Sequence, residues 1–360
     1  MRVLGSRKFR RGVGVLVVAV LATPVIAASI AGPATAAWPG TNGKIAFKSA
    51  DDSIWTMNVD GTDRTQLTAG ATACEGNTGD EEPNWSPDGT KLLFSRTTDT
   101  AGQDVWVMNA DGTGQTQLTH FGVPGCDGNG FAENPSWSPD GTEVVFTALG
   151  SPDVSATQVQ SNEDLWMMNA DGSNQHRLTN SGQCDESEAR ISPNGKMMVF
   201  LTDGCVNSND NGMWVMDLPS LVKHKLLDGG NNENYDWAPD SSKIAFTDDN
   251  NQVAVIDPDG SHLVELTSSN NEGQSEHPAF SPDGTQITFA SDRSGADKIW
   301  VMDADGSDQT QIPMGSLVDN GQPNWQPVPA ETPVTPVTPV VPPPAPTPAA
   351  AVVVGPRFTG

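Results

Sequence analysis

Apolar positions recur along this chain in a fixed order. A short segment carrying an aromatic residue ends in a polar turn. An apolar run ending in Phe follows, then a second run that is apolar almost throughout. The fullest copy opens with Pro83-Asn84-Trp85-Ser86-Pro87-Asp88-Gly89 and continues to Leu92-Leu93-Phe94. Pro135 to Phe146 and Pro278 to Phe289 repeat it, weaker copies start at Ile191 and Trp237, and Trp38 with Phe47 keeps the spacing alone. In all six the first residue stands nine positions before the Phe. The third run is Ile54-Trp55-Thr56-Met57, Val105-Trp106-Val107-Met108, Leu165-Trp166-Met167-Met168, Met213-Trp214-Val215-Met216, Val253-Ala254-Val255-Ile256 or Ile299-Trp300-Val301-Met302. Lack of alternation predicts a strand covered on both faces. An Asp-Gly hairpin turn follows in five units, and a fourth strand ends near Leu67, Leu118, Leu178, Leu226, Leu266 or Ile312.

Four strands per unit, each unable to bury both faces alone, predict an all-β fold: a six-bladed β-propeller of four-stranded blades. A seventh opening segment, Gln322-Pro323-Asn324-Trp325-Gln326-Pro327, has no second strand after it. It is expected to return to blade 1, so that the ring is closed by a C-terminal strand and no edge remains. The ten tryptophans fit this register. Trp38, Trp85, Trp137, Trp237 and Trp325 take the first-strand position, and Trp55, Trp106, Trp166, Trp214 and Trp300 the third. The aromatics are therefore read as packing residues rather than a ligand platform.

The ends of the chain read differently. Arg2, Arg7, Lys8, Arg10 and Arg11 precede an apolar run from Gly12 to about Ile30 and the small residues Pro33-Ala34-Thr35-Ala36-Ala37. This predicts a secretory signal peptide over residues 1–36, leaving no membrane insertion after cleavage. The propeller is assigned to 37–327. Residues 328–360, rich in Pro, Thr and Val, are expected to form a tail without a core. The formal charge is −26, and losing residues 1–36 makes it five units more negative. Such a surface argues against nucleic acid and anionic membranes as partners.

The run Pro-x-Trp-Ser-Pro-Asp-Gly, the strand ending in Phe, Trp-Val-Met with Asp-Gly and the final Gln-Leu-Thr together resemble the repeats of TolB-type β-propellers, which are similar to WD repeats. The resemblance runs from Trp38 to about Pro327. It implies an exported interaction module, or less often an accessory domain of serine peptidases or a pectin-fragment lyase. Blade 4 departs most, with Ile191 for Trp, Asn194 for Asp and Leu218-Pro219-Ser220 for the Asp-Gly turn. Blade 5 has Asp240-Ser241 for Asp-Gly.

Alternating strand directions sort the loops by face. Cys74, Cys126 and Cys184 lie in loops before a first strand, and Cys205 lies between the second and third strands of blade 4. All four fall on one face, and disulfides Cys184–Cys205 and Cys74–Cys126 are expected. The innermost strands begin on the same face. Four positions before the aromatic stand Glu81, Glu133, Ser187, Glu233, Glu276 and Gly321; three before stand Glu82, Asn134, Glu188, Asn234, His277 and Gln322. These should ring the mouth of the central channel. Glu81, Glu82, Glu133, Glu188, Glu233, Glu276 and His277 form the candidate binding site, with no cofactor required. Calcium suits such oxygen ligands. The bland alternative is that these side chains bond to backbone or water and hold the strand entrances. No Gly-x-Ser-x-Gly elbow is present, and no pair among His120, His176, His224, His262 and His277 has metal spacing. No catalytic residue is assigned. The expectation is a secreted or periplasmic, monomeric binding module for a protein, peptide or cell-envelope glycan. The alternative is a carbohydrate-active enzyme, a lyase or glycoside hydrolase, working in the channel mouth.

Overall fold

In the computed structural model the described residues are 40–70, 79–98, 102–122, 130–150, 162–229, 232–268, 273–315 and 319–329. The expected leader, Trp38, Cys74, Cys126 and nearly all of the tail lie outside them. The described chain is built of β-strands, with one three-residue 3-10 turn at Ser208–Asp210. Four sheets are four-stranded, and one of eight strands joins blades 2 and 3. A single parallel pairing, Gln103 with Phe131, makes that junction, so the eight strands are two blades in contact and the blades number six. Blade 1 takes its innermost strand, Asp319–Val328, from the far end of the chain. Ile45 pairs with Trp325 and Ala46 with Asn324. The ring is closed as the seventh opening segment foretold.

The core lies between blades, not within them. Among the described residues there are six hydrophobic clusters, and each joins two neighbouring blades. Alternation along one strand explains this. In blade 2, Leu92 and Phe94 pack towards Ala46 and Ile54 of blade 1, whereas Leu93 packs towards Trp137 and Val144 of blade 3. An apolar run without gaps therefore feeds two interfaces at once. Phe47, Phe94, Phe146, Phe200, Phe246 and Phe289 are all fully buried. Each removes one aromatic side chain from water, a contribution of about 2–3 kcal/mol.

The turns follow their side chains. Asp88 Oδ1 accepts from Ser86 Oγ at 2.6 Å and from Thr90 N at 3.0 Å, and Asp140 and Asp283 repeat the pattern. The hairpin at Asp305 uses its carboxylate in the same manner, on Ser307.

Two details depart from expectation. Fourth strands are only two residues long except in blade 4, where Lys223–Asp228 is paired. Very short outer strands leave little open edge. The third-strand tryptophans are half-buried: each lies opposite the repeat Phe, and Trp106, for example, packs against the edge of the same inter-blade cluster as Phe94. Cations cover several of them: Arg96 sits 4.9 Å from the Trp106 ring and Arg293 4.9 Å from that of Trp300.

Candidate functional site

The channel is lined by the innermost strands, and a shared kink shapes them. Register breaks between Glu81 and Asn84, Glu133 and Ser136, Ser187 and Arg190, Glu233 and Asp236, and Glu276 and Ala279. At each break one non-glycine residue has positive φ: Glu82 (56°), Asn134 (53°), Glu188 (56°), Asn234 (58°) and His277 (55°), joined by Gln322 (54°) in blade 1. These are the residues three places before each aromatic. A left-handed residue with a side chain costs of order 1–3 kcal/mol and persists only where its surroundings hold it.

Here the holding groups come from the preceding blade. Gln322 Oε1 accepts the amide of Glu82 at 2.8 Å. Glu82 Oε2 accepts that of Asn134 at 2.6 Å, and Glu188 Oε2 that of Asn234 at 2.5 Å. Asn134 and Asn234 are too short to pass the contact on. Thr147 and Thr247 take over, accepting the amides of Glu188 and His277 at 3.1 Å. Glu82 and Glu188 are thus clasps between blades. At these two positions one carboxylate oxygen is bonded to the backbone of the next blade. His277 differs. Its Nδ1 is buried without a partner among the described residues. Burial, and then the charge of Lys48, push its pKa down to about 4.

A second layer lies deeper, one residue before each aromatic. Asn324 Oδ1 accepts Trp85 N at 2.9 Å, Asn84 Oδ1 accepts Trp137 N at 3.4 Å, and Asp236 Oδ2 accepts Phe280 N at 2.7 Å. Arg190 occupies this layer in blade 4 and donates to the carbonyls of Ala189 (3.2 Å) and Asn134 (3.4 Å). Glu82, Glu188, Arg190, Asp236, His277 and Asn324 help to enclose a cavity of about 60 Å³, room for very little beyond water. Sequence reasoning missed Arg190 and Asp236. The bulge resets the alternation, so the position just before the aromatic faces the channel too; a charge there, where other blades have Asn, Ser or Ala, was the available signal.

Burial dominates the electrostatics of this layer. It raises Glu82, Glu188 and Asp236 each to about 7, although the Arg190 guanidinium pulls all three down. For Glu82 the charge of Glu81 adds to the rise, and for Glu188 that of Glu233.

Nearer the mouth the carboxylates crowd. Glu81 accepts from Lys48 Nζ at 3.0 Å and Gln103 Nε2 at 3.3 Å. Burial lifts Glu133 well above the usual carboxylate range, helped by Glu82, Glu163, Glu81 and Glu188. Glu233 and Glu276 rise for the same first reason, with Asp203 acting on the former and Glu233, Asp297 and Asp292 on the latter. Glu163, which sequence reasoning did not single out, is raised to about 7 by burial and by Asp185 and Asp203. It stands immediately before a third strand, Asp164–Asn169, outside the repeat positions from which candidates were drawn. Asp185 and Asp203 face one another across blade 4, next to the Cys184–Cys205 disulfide, which formed as expected. That bond ties together the two strand ends that supply this part of the rim. Among the described residues no three His, Cys, Asp or Glu side chains are grouped to hold a metal ion.

Comparison with known proteins agrees with the architecture. The family model described as "TolB beta propeller domain" matches residues 34–269 and 206–331. An uncharacterized protein of Agrobacterium fabrum is 28% identical over 176 residues, 45% of this chain and 52% of that protein. The Tol-Pal system protein TolB of Geobacter sulfurreducens is 38% identical over 76 residues, 21% of this chain and 17% of that protein. The chain therefore matches about half, or less, of the length of these curated relatives. The crystal structure of TolB from Acinetobacter baumannii superposes with a TM-score of 0.61 at 22% identity, over 79% of this chain and 67% of that one, a likeness of fold. With the family model spanning nearly every blade, this chain belongs to the TolB β-propeller family.

Proposed function

We propose that the protein is an exported binding module that grips a basic segment of a protein partner at its acidic channel mouth. One observation carries the reading: Glu81, Glu133, Glu163, Glu233 and Glu276 stand at one rim, and burial and neighbouring carboxylates lift Glu133, Glu163, Glu233 and Glu276. Carboxyls that repel one another in this way gain when a lysine or arginine side chain arrives. The relative named as a Tol-Pal system protein supports a protein partner over a glycan. Export is supported by the basic-then-apolar leader pattern and by a disulfide at the rim.

The test is calorimetric titration with an oligolysine peptide at pH 5 and pH 8. Because the rim carboxyls bind protons unusually well, binding should strengthen at the higher pH and weaken with salt. The double variant Glu133→Gln/Glu233→Gln should lose affinity by about tenfold. Wild-type affinity in that variant would end the proposal. Calcium, for which the same oxygens are suited, is expected to compete with the peptide.

A second reading has one specific support. Glu163, at about 7, has the proton affinity that a general acid needs near neutrality. It predicts turnover of a wall or plant polysaccharide that Glu163→Gln abolishes; no conversion across a polysaccharide panel would retire it.

A further inference from the structure

A cavity of about 820 Å³ lies away from the channel, between blades 5 and 6, beside the Pro-Asp turns. Ala238, Val255 and Leu266 wall it on one side and Phe280 and Ala304 on the other, with Val264 at the rim. The matching place between blades 2 and 3, lined by Pro87, Lys91, Trp137 and Ala170 among others, holds about 210 Å³. The two places occupy the same repeat positions, so the difference is local. Phe280 stands where blade 3 has Trp137, and the smaller ring opens the inner end. Outward, the groove runs on past Val255 and Leu266 to Val264, which is 48% exposed and adjoins the equally bare Leu263.

The charges are arranged differently from the walls. Asp240 and Asp305 each commit one oxygen to their own turn, to Ser242 and Ser307, and the second accepts no bond among the described residues. Both side chains are exposed. Lys243, the lining cation, is already engaged by Asp257 at 2.8 Å. The groove therefore offers apolar walls of a size that takes small ligands and a rim where two exposed carboxylates, Asp240 and Asp305, outnumber the one lining cation, whose charge is shared between Asp257 and Asp240.

We infer that the groove between blades 5 and 6 binds a small amphiphilic cation, its apolar body against Val255, Leu266 and Phe280 and its protonated amine at Asp240 and Asp305. Nothing in this assignment depends on the channel mouth.

The experiment titrates the purified protein with octylamine, octanoate and ethylamine, each below its aggregation threshold, by calorimetry with amide chemical shifts as a second readout. Octylamine should bind saturably, about tenfold tighter than octanoate, which has the wrong charge, or ethylamine, which has no body. Val264→Lys places a like charge at an exposed position and should weaken octylamine by about tenfold without moving the thermal midpoint. Phe280→Trp, which installs the residue of the matching positions, should weaken it several-fold. Equal binding of octanoate, equal binding of ethylamine, or wild-type affinity in Val264→Lys would each overturn the assignment.

Discussion

The channel and the blade 5–6 groove are two cavities built on the same repeat, the first from the innermost strands and the second mainly from the turns and outer strands of two neighbouring blades. The channel holds about 60 Å³ and encloses buried acids, a guanidinium and a neutral imidazole. The groove holds about 820 Å³ and has apolar walls. In the channel the kinked strands of blades 2 to 6 are each fastened by a side chain of the preceding blade, so Gln322, Glu82 and Glu188 have a backbone task. In the groove the walls have no bonding task, and their bulk can vary. The contrast predicts that the channel is intolerant of truncation but tolerant of isosteres, while the groove accepts changes of volume.

The largest expected effect is at Asp236. Asp236→Ala leaves the amide of Phe280 buried without an acceptor and removes the carboxylate beside Arg190. A loss of about 3 kcal/mol is expected, read from urea midpoints. Asp236→Asn should lose less than a third of that, because Asn84 and Asn324 do the same work in blades 2 and 1. Equal losses in the two variants would mean that the charge, not the acceptor, holds the layer.

Next comes the rim of blade 4. Removing the Cys184–Cys205 bond in a double serine variant should cost about 2–4 kcal/mol, given the 21-residue separation. It should also let Asp185 and Asp203 part, and so lower the proton affinity of Glu163 from about 7. Titration of Glu163 by carbon-detected NMR in both forms checks the second effect separately from the first.

The third prediction concerns pH. Glu82, Glu188 and Asp236 have folded values near 7, above their unfolded ones, so the folded state binds more protons between about pH 4 and 7. Their contribution is complete at the acidic end and is lost as pH rises through 7. His277 acts oppositely: its folded value near 4 removes stability as pH falls from about 6.5 to 4. Three groups outweigh one, so the urea midpoint should be higher at pH 5 than at pH 8. Glu82→Gln, which copies the Gln322 found at the same position of blade 1, should flatten that slope and match wild type at pH 5. An unchanged slope would show that Glu82 does not titrate in this range.

How much of this was legible in the sequence depends on which side chains carried the repeat. Phe94 and its counterparts, with the aromatic nine places earlier, specified blades and interfaces because burial demands apolar residues at fixed spacing. Trp325 betrayed the closure for the same reason. Cys184 and Cys205 followed from the face assignments. The kink was not legible: Glu82, Glu188 and His277 at positive φ carry no local signal, since the strain is met by a neighbouring blade. The substitution of Thr147 for a long side chain at Asn134 likewise needs three-dimensional reach. Arg190 and Asp236 were hidden because a bulge shifts the alternation by one residue. Glu163, which stands where blade 2 has Gln103, lay outside the innermost-strand positions from which the candidates were drawn.

The smallest expected effect tests the groove. Trp137→Phe, between blades 2 and 3, should lose about 1–2 kcal/mol, because it opens packed space and removes the indole bond from Trp137 Nε1 to the Asn84 carbonyl at 3.2 Å. The reverse exchange at the matching position, Phe280→Trp, should be nearly neutral or stabilising, within about 1 kcal/mol. Space is available on the groove side, and the register offers the indole an acceptor. Trp137 bonds the carbonyl of Asn84 and Trp237 that of Arg190, so the indole introduced by Phe280→Trp would meet the carbonyl of Asp236. Trp85 and Trp325 keep their indole nitrogens buried without a partner among the described residues, so even an unmet bond is within what the blades tolerate. Paired urea denaturation of the two variants decides the matter: a large loss in Phe280→Trp would show that the groove is rigid space the fold requires rather than volume left free for a ligand.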